Sequence, residues 1–378
     1  MFPYILLIVT AFLFSFVAVA PMGNKRGMIN VTRLKIGSSD YIGSNNVSLF
    51  WFFLIFFLLL SFRDISIGRD VSAYKFYFEQ YSNMSLNTIL KIEGDVLYAV
   101  LNWIVSKVTD NYQIFLSLVA AMTLWPIYRQ YRTDKRYSFM KVVLFMNMTT
   151  FIMFFSGLRQ SIAIGMGMIA YEFVKKKKIL PFIVTVVIAM GFHHSAFVLF
   201  LLYPFYYMHL KKTSLVIIVP LTTLIFVFNK PIFRVLVDVL NRLSGGQYEA
   251  DIISTGAFST IVLFAMFLAL AYFIPDEKAM DEETMGLRNI LILSLWLQCF
   301  APLHSLAMRF NYYFIIFRPM VIPKVLSCSR VRYKKIAKVV GIVIITYLLY
   351  YYLSHTYRAC VNGISALDTY PYVPFWSK

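Results

Sequence analysis

Apolar runs of span-like length recur along almost the whole chain, at about 2–20, 47–62, 111–128, 138–155, 158–174, 179–192, 195–209, 213–229, 256–274, 288–304, 308–323 and 339–353. That recurrence leaves few folds open. A soluble domain has nowhere to bury so many runs. A bilayer accepts each as a helix, because within lipid a helix satisfies its own backbone N–H and C=O groups. Composition agrees, with 60% of the 378 residues hydrophobic and 14% charged, against about 45–50% and about 25% in soluble domains. The expected fold is all-α: a single polytopic membrane domain over 1–378, with about 12 transmembrane helices. Several runs are shorter than the usual ~17 residues, so their ends extend into polar flanks. Val96 to Ser106 is apolar but too short to cross, and reads as an external amphipathic or re-entrant helix. The first run lacks a charged leader region and reads as span one rather than a signal peptide.

The net charge of +18 follows topology. Basic residues cluster in alternate loops: Lys25, Arg26, Arg33 and Lys35; Arg129, Arg132, Lys135 and Arg136; Lys175 to Lys178; Lys211 and Lys212; Lys278; and Lys324, Arg330, Arg332, Lys334, Lys335 and Lys338. The longer loops on the other side, about 63–110 and 230–255, are poorer in them. The basic loops therefore face the cytoplasm, and the Lys175–Lys178 run reads as a solvated inside anchor. A nucleic-acid partner would need a soluble basic surface and is not expected. Membrane lipids are the surroundings. Neither HExxH nor paired-cysteine spacing occurs, and no Walker or Rossmann loop, so no metal and no cofactor are expected. Cys299, Cys328 and Cys360 indicate no disulfide framework.

With the topological charge set aside, the remaining polar residues gather at external span ends. Arg63, Asp64, Arg69 and Asp70 lie in SFRDISIGRD, and Glu93 and Asp95 in KIEGDVLYAVLN. Arg159 and Gln160 lie in FSGLRQSIA, His193, His194 and Ser195 in MGFHHSAF, and His304 and Arg309 in LHSLAMRFNYY. Ionisable groups at membrane depth are costly, which makes them functional candidates. Blander roles remain open: Arg63 and Arg69 could pair with Asp64 and Asp70, Arg159 could snorkel, and the histidines could form an interfacial pair. A guanidinium matches phosphate oxygens bidentately. An external group of arginines therefore suits a lipid diphosphate, whose bridging oxygen gains charge as it leaves an anomeric carbon. An imidazole or carboxylate could take the proton of an attacking sugar hydroxyl.

SFRDISIGRD followed by Tyr74, EGDVLYAVLN, SGLRQSIAIGMGMIAYEF before a lysine run, and FHHSA together resemble the EpsG family of polysaccharide-assembly proteins, which are similar to Wzy-type repeat-unit polymerases. The resemblance covers a motif-bearing core of about 45–210. It implies a GT-C-like helical glycosyltransferase architecture in the bacterial cytoplasmic membrane, with the active site on the periplasmic or extracellular side. It implies undecaprenyl-diphosphate-linked oligosaccharide as donor and acceptor, for O-antigen, capsule or exopolysaccharide, and it allows a chain-length regulator as partner. Under it, Arg159 and Arg69 hold the diphosphate with Arg63 assisting. His193 serves as acid/base or acceptor-positioning group, Asp95 is the alternative base, and Asp95 fits the pattern better than Glu93. Gln160 and Asp70 orient these groups, and Tyr74 and His194 contact substrate. Arg309, outside the matching core, is a further substrate-binding candidate from its place at an external span end. The nearest alternative is an O-antigen-ligase-type transferase using the same leaving group. A flippase or exporter is disfavoured because the polar residues cluster at one face rather than mid-span, and an acyltransferase because the His pair lies outside.

Overall fold

The computed structural model describes residues 1–16, 46–92, 94–244, 258–329, 333–363, 365 and 367–377. Among them the chain is all-helical, without a β-strand. The α-helices are α1 (Phe2–Ser15), α2 (Val47–Ser61), α3 (Val71–Ser82), α4 (Leu86–Ile89), α5 (Val96–Ser106), α6 (Tyr112–Tyr131), α7 (Ser138–Met146), α8 (Thr149–Met153) and α9 (Leu158–Lys175). They continue with α10 (Ile179–Phe192), α11 (Leu202–Tyr207), α12 (Leu215–Val227), α13 (Asn229–Ser244), α14 (Phe258–Phe273), α15 (Glu282–Gln298), α16 (Ser305–Ile315), α17 (Arg318–Ser327) and α18 (Lys334–Asn362).

Their lengths depart from a simple bundle of full spans. Among the described residues, α18 alone is both long and apolar enough to cross a bilayer, and Lys212–Val227 with Asn229–Val239 passes as a pair bent by 79°. The 138–155 run divides into α7 and α8 at Asn147, whose side chain bonds back to the Val143 carbonyl at 2.8 Å. The 308–323 run divides between α16 and α17, ahead of Pro319. The 195–209 run begins as a 3-10 helix, His194–Leu201, before α11. The loops expected at 63–110 and 230–255 hold α3, α4, α5 and α13. Lys25, Arg26, Arg33, Lys35, Glu93, Arg330 and Arg332 lie outside the described residues. Large apolar side chains on α10, α12, α14 and α18 are exposed, among them Leu180, Val216, Met266 and Tyr350. Such faces call for a cover, of lipid or of protein.

The helices form two compact units. The first comprises Met1–Phe173, Ile179–His194 and Val340–Lys378, the second Val174–Lys178 and Ser195–Val339. In the first, Phe52, Phe53 and Phe56 of α2 interlock with Phe145 and Phe151 of α7 and α8. Edge-to-face and stacked rings of this kind fix helices more tightly than aliphatic contact alone. The loop after α2 is thereby set against the turn that precedes α9. Gly68 in that loop has φ +99°, and a Cβ there would stand 1.9 Å from the Phe155 carbonyl oxygen. No other residue fits so close a backbone approach.

A strap formed by the C-terminal segment crosses the same loop. Asp64, Gly68 and Arg69 donate backbone N–H groups to the carbonyls of Val373, Asp368 and Leu367, and Phe375 donates to Phe62. Tyr4 of α1 bonds the Thr369 carbonyl, and Tyr372 bonds that of Leu59. Leu367 and Asp368 both take left-handed φ values, a turn that costs L-residues energy and aims two carbonyls at the loop.

In the second unit, Asp281 caps α15 through the Thr284 N–H. Lys176 to Lys178 are exposed, while Lys175 and Lys177 are ion-paired with Glu283 (3.5 Å) and Glu282 (3.0 Å). Buried Arg318 lies over the Phe264 ring at 4.0 Å. Asn311 links Ser294 and Gln298 at 2.8 Å each.

Candidate active site

Three separate stretches of the first unit converge on one carboxylate. Asp95 stands at the N-terminus of α5, where the helix dipole favours an anion. Its Oδ2 accepts from Arg159 at 3.0 Å and contacts His193 Nδ1 at 3.1 Å. Its Oδ1 accepts the His194 backbone N–H at 3.0 Å and contacts His194 Nδ1, also at 3.0 Å. The Asp95 side chain is 8% exposed, against 41% for Arg159, 19% for His193 and 55% for His194. The carboxylate is therefore the buried hub, and the cation and imidazoles are its accessible rim. Burial pushes the Asp95 carboxyl up, but the hydrogen bond and charge of His193, then the charge of Arg159, outweigh it and hold the group below the usual aspartate value.

The backbone explains how residues 98 and 99 positions apart meet. The end of α10 lies on the start of α5 at Gly191, where a Cβ would stand 2.6 Å from the Leu97 side chain. The His193 N–H closes the last turn of α10 onto Ala189, and His194 then opens the 3-10 helix. Arg159 lies in the first turn of α9, where the helix dipole opposes a cation. Two contacts compensate: the ion pair with Asp95, and Tyr74, whose ring lies 5.5 Å below the guanidinium and whose hydroxyl accepts from Nε at 3.4 Å. Tyr74 is buried, and its ring meets Tyr98 edge-on at 5.5 Å. Asp70, at the start of α3, ties that helix to the turn before α9 through Ser156, which donates to its Oδ2 at 2.9 Å and accepts its backbone N–H at 3.2 Å.

Of the residues singled out in the sequence, Asp95, Arg159, His193, His194 and Tyr74 are brought together, with Asp70 one link away. Gln160 is buried beside Arg159 in α9. Arg69 is on the Asp70 loop, 62% exposed and paired with Asp368 at 3.6 Å, not with Asp70. Arg63 does not reach the cluster. It is 1% exposed, donates to the Leu60 carbonyl at 2.9 Å, and lies over the Phe155 ring. Asp64 bonds Ser66, so the Arg63–Asp64 pairing is not formed either. Arg309, His304 and Ser195 belong to the second unit. There Arg309 is exposed on α16, His304 stacks near Phe233, and Ser195 bonds the Tyr313 hydroxyl at 3.0 Å. Ser156 and Asp368 were not signalled by sequence, because each acts through a partner far away in the chain. Among the described residues, no group of three or more His, Cys, Asp or Glu is arranged to hold a metal ion.

Among the described residues, an all-helical arrangement with exposed apolar faces and a rim of cationic and imidazole groups around one buried carboxylate is compatible with a membrane protein that carries a polar site. The model of the EpsG family matches residues 46–373, and the chain belongs to that family. Membership supports a polysaccharide-polymerase type of role in general. The match runs well beyond the 45–210 core, into the strap. No curated protein and no solved structure matches the chain.

Proposed function

We propose that the chain is a polymerase of lipid-linked oligosaccharide repeat units, working at the outer face of a bacterial cytoplasmic membrane. It transfers the growing glycan from undecaprenyl diphosphate to the sugar end of a new lipid-linked unit. About twelve crossings, several made of two helical pieces, and a GT-C-like architecture belong to the same proposal. The observation that carries it is the convergence of Arg159, His193 and His194 on Asp95.

The two imidazoles turn Nδ1 toward the ionised carboxylate. Each donates its Nδ1–H and keeps Nε2 free as an acceptor. His193 Nε2 takes the proton of the acceptor sugar hydroxyl as its oxygen attacks the anomeric carbon. The bond from that carbon to the diphosphate oxygen breaks, and the lipid diphosphate leaves with the electron pair. The exposed edge of Arg159, at the N-terminal end of α9, meets the growing phosphate charge. Asp95 already receives four contacts, so its role is to hold the Arg and His groups in place rather than to act as the base. Arg69 is a second phosphate contact once it exchanges Asp368 for the ligand. Arg63 takes no part in substrate contact.

The test is complementation of a strain lacking this protein. Arg159→Ala should leave single repeat units on the lipid carrier and reduce long-chain glycan by roughly 100-fold or more, the scale of losing a preplaced transition-state donor. Wild-type polymer from that variant would end the proposal. Polymer accumulating on its carrier in the deletion strain would favour the ligase reading instead.

A further inference from the structure

Helix α3 carries a feature that the Arg159 cluster does not use. Tyr74, Tyr77 and Tyr81 recur at i, i+3 and i+7, so at ~100° per residue they fall within about 60° of one another on the helix surface. Tyr74 is the buried end of this stripe, under Arg159. Tyr77 and Tyr81 continue it outward with rings 5.9 Å apart and 23° from parallel. Tyr77 is 42% exposed. Tyr81 is half-buried and close enough to Arg159 to feel the guanidinium charge at its hydroxyl.

Beside these rings α3 exposes Ala73 and Gln80, with Phe76 one step further round. The far side of the helix is polar: Ser72, Glu79 and Asn83 are exposed, and Lys75 pairs with Glu79 at 3.6 Å. A helix immersed in acyl chains does not present a carboxylate and a carboxamide. The far end of the helix is also fixed: Trp103 Nε1 donates to the Met84 carbonyl at 3.0 Å, and Lys107 donates to that of Ser82 at 2.7 Å. The stripe is therefore a preorganised aromatic surface, edged by the Gln80 amide and its own phenol hydroxyls and ending at the cationic site. A sugar ring has an apolar C–H face and a polar hydroxyl rim, which are the two complements of such a surface.

We propose that Tyr77 and Tyr81 form a carbohydrate-binding track that holds a glycan chain next to Arg159. This rests on reading the Arg159 cluster as the transfer centre. Stacking needs no particular hydroxyl pattern, so successive sugars can occupy the same rings as the chain grows. The track retains glycan between couplings and sets how long the polymer becomes.

The experiment uses the full chain in nanodiscs, with the lipid-linked repeat units that accumulate in a strain lacking it. The readouts are product-length distribution and the rate of the first, two-unit coupling. Tyr77→Ala with Tyr81→Ala should weaken glycan retention by roughly threefold to tenfold. The modal length should shorten by a larger factor than the first coupling slows. Trp at both positions should restore length, and Leu at both should not. Unchanged length in the Ala variant overturns the track. Full length in the Leu variant overturns it too, and assigns the face to lipid. An Arg159→Ala protein that still forms two-unit product at the wild-type rate instead removes the transfer centre, and this proposal with it.

Discussion

Both oxygens of Asp95 are engaged, by Arg159 and His193 on one and by the main chain and ring of His194 on the other. Removing its charge should therefore disturb three groups at once. Asp95→Asn keeps the shape but gives Arg159 no counter-ion, and coupling should fall by roughly 10- to 100-fold, the cost of losing an orienting partner. His193→Gln should fall further, by roughly 10²–10⁴-fold, the usual worth of a positioned base. Both are read as initial coupling rates in nanodiscs. If His193→Gln couples at the wild-type rate, another group takes the proton. The Asp95 carboxyl is held below its ordinary value in the folded chain. Its stabilisation is therefore complete above the unfolded value of about 4 and is lost as pH falls through the folded one. The Tm gap between wild type and Asp95→Asn should be open at neutral pH and narrow below about pH 4. A gap that widens on acidification would mean that the carboxyl is not stabilised as an anion.

Among elements, the contact between α10 and α5 decides whether the histidines meet Asp95. Gly191→Ala would drive a methyl into Leu97, costing on the order of 1–3 kcal/mol as overpacking and lowering coupling. Adding Leu97→Ala should recover much of the loss, since the two changes share one space. Failure of that rescue would show that the helices do not meet there. The strap is the second element on which the site depends. Deleting 365–377 removes the backbone bonds to Asp64, Gly68 and Arg69, each worth about 1 kcal/mol net. Thermal stability and coupling should fall together. Equal activity in the truncated chain would show that the loop holds its place without the strap. The helix bodies were legible in the sequence because apolar runs with polar flanks state their own limits; α5 falls on Val96–Ser106 as read. Breaks such as that at Asn147 were not, because nothing in an apolar run reveals where a polar side chain will turn back on the main chain.

At the scale of the whole molecule, the meeting of SGLRQ, FHHSA and EGD residues was legible through motif order and their shared place at the ends of apolar runs, and Arg159, His193 and Asp95 do come together. Arg63 lies apart from that meeting, buried against Phe155; a charged residue after an apolar run reads the same whether it faces a ligand or the protein interior. Asp368 was invisible because its partner Arg69 is 299 positions earlier in the numbering. Orientation is open to direct measurement. With Cys299, Cys328 and Cys360 replaced, a cysteine at Asn83 should react with an impermeant maleimide from outside the cell. One at Lys176 should react only after permeabilisation, and the reverse pattern would invert the topology. The most direct test of the central claim follows the leaving group. Undecaprenyl diphosphate released per coupling is measured in nanodiscs with wild type and Arg159→Ala, both folded by the same Tm. One diphosphate lipid should appear for each new linkage, with release slowed about 100-fold or more by the substitution. Release at the wild-type rate without the guanidinium would contradict the account.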